Sequence, residues 1–404
     1  MTDHTPQTDT PPSPVAPASG HRLHPDVLKL GWVSFLTDLS SEMVFSVFAI
    51  FFTKVAGASS ALLGLIEGLA DFSASSLNYL SGWLSDRSGQ RKWLVVAGYG
   101  FSTLAKGILV VSSSVTGAAA FRVIERLGKG FRGPPRDAWL ASMAQSKHRG
   151  YAFGVHKALD KAGAVIGPLV AYGLLVNLGE TASTYGLLFA VALVPALLSI
   201  ALLLRIPEQV GTRRQRESMA DNWAQLSPGF KRFLWPAGVF ALGYFSLGFT
   251  LLKAHDVGFG VSEVVLLYAL FNVTCVVTAP LVGKLGDRVG RSHIVVLGYA
   301  AYAALNLWLV WADTRAEVVG VFVLYGLFYA LEDSQSKAFI ADLEHDRRAS
   351  AVGIYSFLTG LLYVPASLVA GALWAWSPQM AFGLGALLAV LAMVVFGVVR
   401  PART

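Results

Sequence analysis

Acids and bases recur at helical spacing in a chain that is otherwise strongly apolar. Asp38 and Glu42 stand four residues apart, as do Glu67 and Asp71, so each pair falls on one face of a helix. Arg122, Arg126, Lys129, Arg132 and Arg136 form a basic series interrupted by Glu125 and closed by Asp137, and Lys106 lies in an apolar run before it. His156, Lys157, Asp160 and Lys161 follow in the next run, and Glu332, Asp333 and Lys337 are the dense group of the second half. Such a set is suited to proton exchange and to holding ions. Burial disfavours a charged carboxylate and a neighbouring base favours it, so a change of partner loads or releases a proton. Asp38, Glu42, Glu67, Asp71 and Asp160 are the candidates for that role. Lys129, Arg132, Arg136, His156, Lys157 and Lys161, with Glu332, Asp333 and Lys337, are candidates for lining a solute path. The alternative is mutual neutralisation, because unpaired charge in a low dielectric is costly.

The elements that must position these residues are membrane helices. Of 404 residues, 54% are hydrophobic, 14% are charged and 40 are glycine, whereas soluble domains carry about 25% charge. A spanning helix needs about 20 mostly apolar residues. Twelve such segments are predicted, near 28–52, 60–84, 92–113, 116–144, 150–176, 183–205, 232–254, 262–284, 293–312, 317–340, 350–375 and 378–399. The expected fold is therefore all-α and integral to the membrane. Residues 1–24, rich in Thr and Pro, are expected to be a disordered tail, and they lack the apolar core of a signal peptide. The polar stretch 206–231 divides the chain into a first bundle, 25–205, and a second, 232–404.

Basic residues collect in loops on one side. They include Arg87, Arg91 and Lys92; Lys147 and Arg149; Arg205, Arg213, Arg214, Arg216, Lys231 and Arg232; Lys284, Arg288 and Arg291; and Arg347 and Arg348, with Arg22, Lys29, Arg400 and Arg403 near the chain ends. The opposite loops hold Lys54, Lys253 and Arg315. Retention of Lys and Arg in the cytoplasm predicts that both termini are cytoplasmic. It also accounts for most of the net charge of +7 without nucleic acid as a partner.

The two bundles repeat one another. Gly82-Trp-Leu-Ser-Asp86-Arg87-Ser-Gly89-Gln-Arg91 recurs as Gly283-Lys-Leu-Gly-Asp287-Arg288-Val-Gly290-Arg291, and Ala138-Trp-Leu-Ala141 pairs with Ala338-Phe-Ile-Ala341. Parallel six-span repeats are one plan of secondary transporters, with the solute site between the halves. The Gly-x-Leu-x-Asp-Arg-x-Gly-x-Arg pattern resembles the loop signature of the major facilitator superfamily. Arg126-Leu-Gly-Lys-Gly130 resembles that superfamily's Arg-x-x-Gln-Gly run, with Lys129 in place of Gln, and Gly163-x-x-x-Gly167-Pro168 resembles the motif of its proton-coupled exporters. The resemblance implies two six-helix bundles working by alternating access, with Gly82, Asp86, Arg87, Gly89, Arg91, Asp287, Arg288 and Arg126 as a conformational latch. It also implies protons as coupling ion, a small-molecule substrate, lipid as environment, a bacterial-type inner membrane and function as a monomer.

Other chemistries fit poorly. One cysteine, Cys275, and eight scattered histidines offer neither a disulfide framework nor a clustered metal site. The segment Gly128–Asp137 is Gly-rich and basic but lacks the Gly-Lys-Ser/Thr ending of a phosphate loop. A membrane enzyme would need nucleophile, base and oxyanion donors at one depth, and only His156 and Asp160 hint at that. No cofactor is expected. Pro134-Pro135 should kink or break the fourth span. Tyr244, Asn272, Tyr325 and Tyr329, with Phe245, Phe249, Phe328, Tyr355, Phe357 and Tyr363, offer an aromatic wall for an amphipathic solute. An importer or facilitator of a small, possibly anionic, solute is the alternative to export.

Overall fold

The computed structural model describes residues 24–143, 149–208, 223, 225–344 and 348–401. The predicted tail up to residue 23, the central part of the 206–231 linker with Arg213, Arg214 and Arg216, and Lys147, Arg347 and Arg403 lie outside the described residues, as do the side chains of Asp86, Asp287 and Asp333.

Among the described residues there are twelve helical spans and no strand. They are α1 (Pro25–Ile50, prolonged by a π turn, Phe51–Val55), α2 (Ser60–Ser88), α3 (Lys92–Val111), α4 (Val115–Met143), α5 (Arg149–Leu178) and α6 (Ala182–Leu204). The second six are α7, in two pieces (α7a, Pro228–Gly243; α7b, Gly248–Asp256), α8 (Val261–Val289), α9 (Arg291–Trp311), α10 (Arg315–Leu343), α11 (Arg348–Trp376) and α12 (Pro378–Val399). Several starts follow from local chemistry: the hydroxyls of Ser59, Thr181, Ser227 and Thr314 accept the first free backbone N–H groups of α2, α6, α7a and α10. Nine spans of the described chain are long and apolar enough to cross a membrane. The remaining three are α2, α4 and α10; among the described residues α2 buries Glu67, and α4 buries Arg122, Glu125 and Arg132.

Of the kink or break expected at the prolines of the fourth span, the break does not occur. α4 runs unbroken through Pro134 and Pro135. Pro134 has no N–H for the carbonyl of Gly130, and the Ser81 hydroxyl of α2 donates to that carbonyl at 3.1 Å instead. A neighbouring helix thus satisfies the group the proline leaves free. The break falls in the seventh span, where residues 244–246 leave the helix. There the Tyr302 hydroxyl accepts from the Phe245 N–H and donates to the Gly243 carbonyl, each at 3.3 Å, and the Ser246 hydroxyl accepts from the Gly248 N–H at 3.1 Å.

The packing repeats with the sequence. α1 lies on α6, α2 on α4 and α3 on α4, just as α7a lies on α12, α8 on α10 and α9 on α10. The halves meet most extensively through two equivalent pairs, α2 with α11 and α5 with α8, and α1 also touches α7b and α8. On the side away from the basic loops the halves share one apolar core, in which Phe48, Phe51 and Phe52 join Phe249, Leu251 and Leu252. On the basic-loop side a separate cluster of Val27, Leu30, Tyr99, Trp139 and Leu140 belongs to the first half alone.

Candidate functional site

Between the halves lies a cavity of about 600 Å³. Its inner end is sealed by Phe48, Ala49 and Leu251, all buried. It reaches solvent past Asp137 and Lys157, whose side chains are 53% and 62% exposed, on the basic-loop side. Eight bases and seven acids line it, and pairing consumes most of them.

α2 and α4 present matched four-residue ladders. Glu67 accepts a bidentate pair from Arg122 at 2.6 and 2.5 Å, and one turn further on Asp71 lies 3.6 Å from Arg126. The Arg122 guanidinium is also stacked over Phe45, 4.5 Å from the ring centre. Near the mouth, Arg136 contacts Asp137 at 3.1 Å and Asp160 at 4.0 Å, and Lys157 reaches Asp160 at 3.7 Å. Arg132 is buried against the Ser102 hydroxyl at 2.6 Å and the face of Tyr99. Behind the lining, Lys106 donates to Ser41 at 3.0 Å, and both carboxylate oxygens of Glu125 are buried without a hydrogen bond among the described residues.

Two carboxylates of the first half reach hydroxyls of the second. Tyr268 donates to Glu42, and Ser246, at the α7 break, donates to Glu67 at 2.8 Å. Further bridges close the same end: Lys54 to Asp256 at 3.3 Å, the Ser262 N–H to Glu180 at 2.8 Å, and the Ser60 hydroxyl to the Gly371 carbonyl at 3.0 Å. The last joins helices in close contact, since a Cβ on Gly64 would lie 2.0 Å from the Ser367 carbonyl oxygen.

Of the sequence candidates, the cavity brings together Asp38, Glu42, Glu67, Asp71, Asp160, Arg126, Lys129, Arg132, Arg136, Lys157, Lys161, Tyr244, Asn272, Tyr329, Glu332 and Lys337. His156 and Tyr325 are absent from its lining. His156 is buried 2.9 Å from Ser34 on α1, and Tyr325 packs edge-on against Phe271. Tyr268, Ser246, Asn78 and Ser75 line the cavity without having been singled out. Tyr268 precedes Asn272 by one helical turn, a signal the sequence did carry. Ser246 sits in an apolar run with no such signal.

The latch motif lies at the ends of α2 and α8. Gly82 is buried, Arg87 and Arg288 are exposed, and Gly89 ends α2 at φ +70°, a left-handed conformation open to glycine. Arg91 donates to the Ala138 carbonyl at 2.9 Å, and Arg291 donates to the Ala338 carbonyl at 3.1 Å. The repeated motif therefore performs the same stitch in each half. Gly163 and Gly167 face α1, where added Cβ atoms would lie 2.4 Å from the Phe35 oxygen and 2.6 Å from the Leu39 oxygen.

The Major Facilitator Superfamily sequence model matches residues 30–252 and again 236–404. The chain belongs to this superfamily. Among relatives of this superfamily chain, an uncharacterized MFS-type transporter of Methanocaldococcus jannaschii is 33% identical over 376 residues, 91% of this chain and 93% of that one. An uncharacterized protein of Mycobacterium tuberculosis is 30% identical over 371 residues, 88% and 87% of the two chains. A crystal structure of a mutant of the nucleoside transporter NupG superposes with a TM-score of 0.78 at 14% identity, covering 92% of this chain and 99% of that one. This superfamily protein is thus a multi-pass membrane transporter by family, with the twelve-helix, two-bundle fold.

Proposed function

We propose that this protein is a proton-coupled secondary transporter that moves a small organic solute by alternating access. The observation that carries the reading is the charged cavity between two pseudo-repeated halves, sealed at one end by bridges that join them. Rocking the halves would open that end and close the other. The basic-loop side is taken as cytoplasmic under the positive-inside rule, so the conformation described faces the cytoplasm of a bacterial-type inner membrane. Asp38 and Glu42 are the proposed proton carriers. Glu67 and Asp71 are engaged by arginines, which assigns them first to holding the first half together. Export is the direction inferred, on the resemblance of Gly163–Pro168 to the motif of proton-coupled exporters. The reading supports neither a catalytic constellation nor a cofactor.

The test is counterflow of radiolabelled solutes in proteoliposomes with and without an imposed pH gradient. Accumulation that follows the gradient and collapses with a protonophore is the expected result. Equal rates with and without the gradient would overturn proton coupling, and accumulation on the side of higher proton concentration sets the direction as export.

A further inference from the structure

Lys129 stands at the midpoint of α4, fourteen residues from either end of Val115–Met143, or roughly 21 Å at 1.5 Å per residue. Its side chain is exposed all the same, and it lines the cavity. The glycines beside it explain the placement. Added Cβ atoms would lie 2.6 Å from the Gly98 oxygen of α3 at Gly128 and 2.3 Å from the Ala74 oxygen of α2 at Gly130. α4 thus turns its two flanking faces onto neighbouring helices and leaves the residue between them to the cavity. Lys161 lines the same space from α5, its ammonium 6.0 Å from the ring centre of Tyr329 in the second half.

Among the described residues neither lysine has a carboxylate within 4.0 Å, whereas Arg122, Arg126, Arg136 and Lys157 each have one. An intramembrane lysine without a partner is costly unless it serves a ligand. The wall facing the lysines is aromatic. Tyr244 and Tyr363 lie 5.1 Å apart, and Phe271 and Tyr329 lie 5.6 Å apart between ring centres, all four in the lining. Such rings accept an apolar or planar body.

We infer that the cavity binds an organic anion, with a carboxylate or phosphate held between the Lys129 and Lys161 ammonium groups and an apolar body against the tyrosine wall. The inference rests on the transport reading of the same cavity. Asp38 on α1 acts electrostatically on both lysines, together with Glu42, and Asp160 and Arg132 act on Asp38. An anion between the lysines adds negative charge beside Asp38, so anion binding and protonation of Asp38 favour one another.

The experiment is calorimetric titration of the purified full-length protein in detergent, which needs no transport. The probes are benzoate, phenyl phosphate, benzamide and benzylamine. Benzoate or phenyl phosphate should bind about tenfold or more tightly than benzamide and benzylamine. Lys129→Gln and Lys161→Gln should each lose about tenfold or more, the range for removing a hydrogen bond to a charged group, and Lys129→Arg should retain binding. Preference of benzoate over phenyl phosphate, or the reverse, identifies the anionic group. Binding of benzamide or benzylamine as tight as that of both anions, no anion binding at millimolar concentration, or unchanged anion affinity in both Gln variants would overturn the inference. Gradient-driven transport of a neutral solute with no anion binding would overturn it while leaving the transport reading standing. Anion binding without gradient-driven transport would do the reverse.

Discussion

At the scale of single residues, identical spacing hides different roles. Asp38 with Glu42 and Glu67 with Asp71 are both four-residue pairs, and both were legible as one helix face. Their partners were not, because these depend on how α1, α2 and α4 are set against one another. Glu67 meets a buried Arg122 in bidentate geometry, while Asp38 has no ion pair within 4.0 Å among the described residues. Removing one member of a buried pair strands the other charge, at a cost of about 3–5 kcal/mol. Glu67→Gln should therefore lower thermal stability in detergent clearly, and exchange and gradient-driven transport should fall together. Asp38→Asn strands no bonded partner. It should retain stability and downhill counterflow of radiolabelled benzoate while losing the response to an imposed pH gradient, and its benzoate affinity should no longer rise as pH falls. Loss of both transport modes at unchanged stability would assign Asp38 to solute binding instead.

At the scale of helices, the sequence showed all twelve spans and missed the interruption of the seventh. Span limits agree within a few residues because apolar length is a local property. Of the kink or break expected at Pro134-Pro135, the break did not occur, because a long-range donor, Ser81, takes up the freed Gly130 carbonyl. The real break at Tyr244–Ser246 has no proline or polar run to announce it. It is held by Tyr302, 57 and 59 residues from the two groups it bonds. Tyr302→Phe leaves the Phe245 N–H and the Gly243 carbonyl without that partner, and a buried group so stranded costs about 1–3 kcal/mol. Thermal unfolding should register that loss. Because the break supplies Ser246 to Glu67, the variant should also weaken closure of the sealed end, read as faster modification by a thiol reagent of a cysteine placed at Leu251. An unchanged melting temperature and an unchanged modification rate would show that the break is held by other contacts.

At the scale of the whole molecule, the division into two repeated halves was legible from the loop motif, and the stitches Arg91–Ala138 and Arg291–Ala338 show what that repetition builds. The relative setting of the halves was not legible, since it depends on contacts between residues some 200 or 300 positions apart, such as Ser60 with Gly371 and Lys54 with Asp256. Alternating access requires those contacts to part in each cycle, while the lateral contacts within a half persist. Replacing Lys54 and Asp256 by cysteine, in a background with Cys275→Ser, puts thiols across the sealed end within reach of a short bifunctional thiosulfonate. Crosslinking should abolish counterflow, and reduction should restore it. The crosslinked protein should still bind benzoate, because the cavity remains open on the basic-loop side. A control pair within one half, at Glu263 and Arg315, which form an exposed ion pair between α8 and α10, should leave transport intact when bridged if the bundle moves as a unit. Counterflow that survives a complete crosslink at Lys54 and Asp256 would mean that the sealed end does not open between those positions, and that the halves part along a different line.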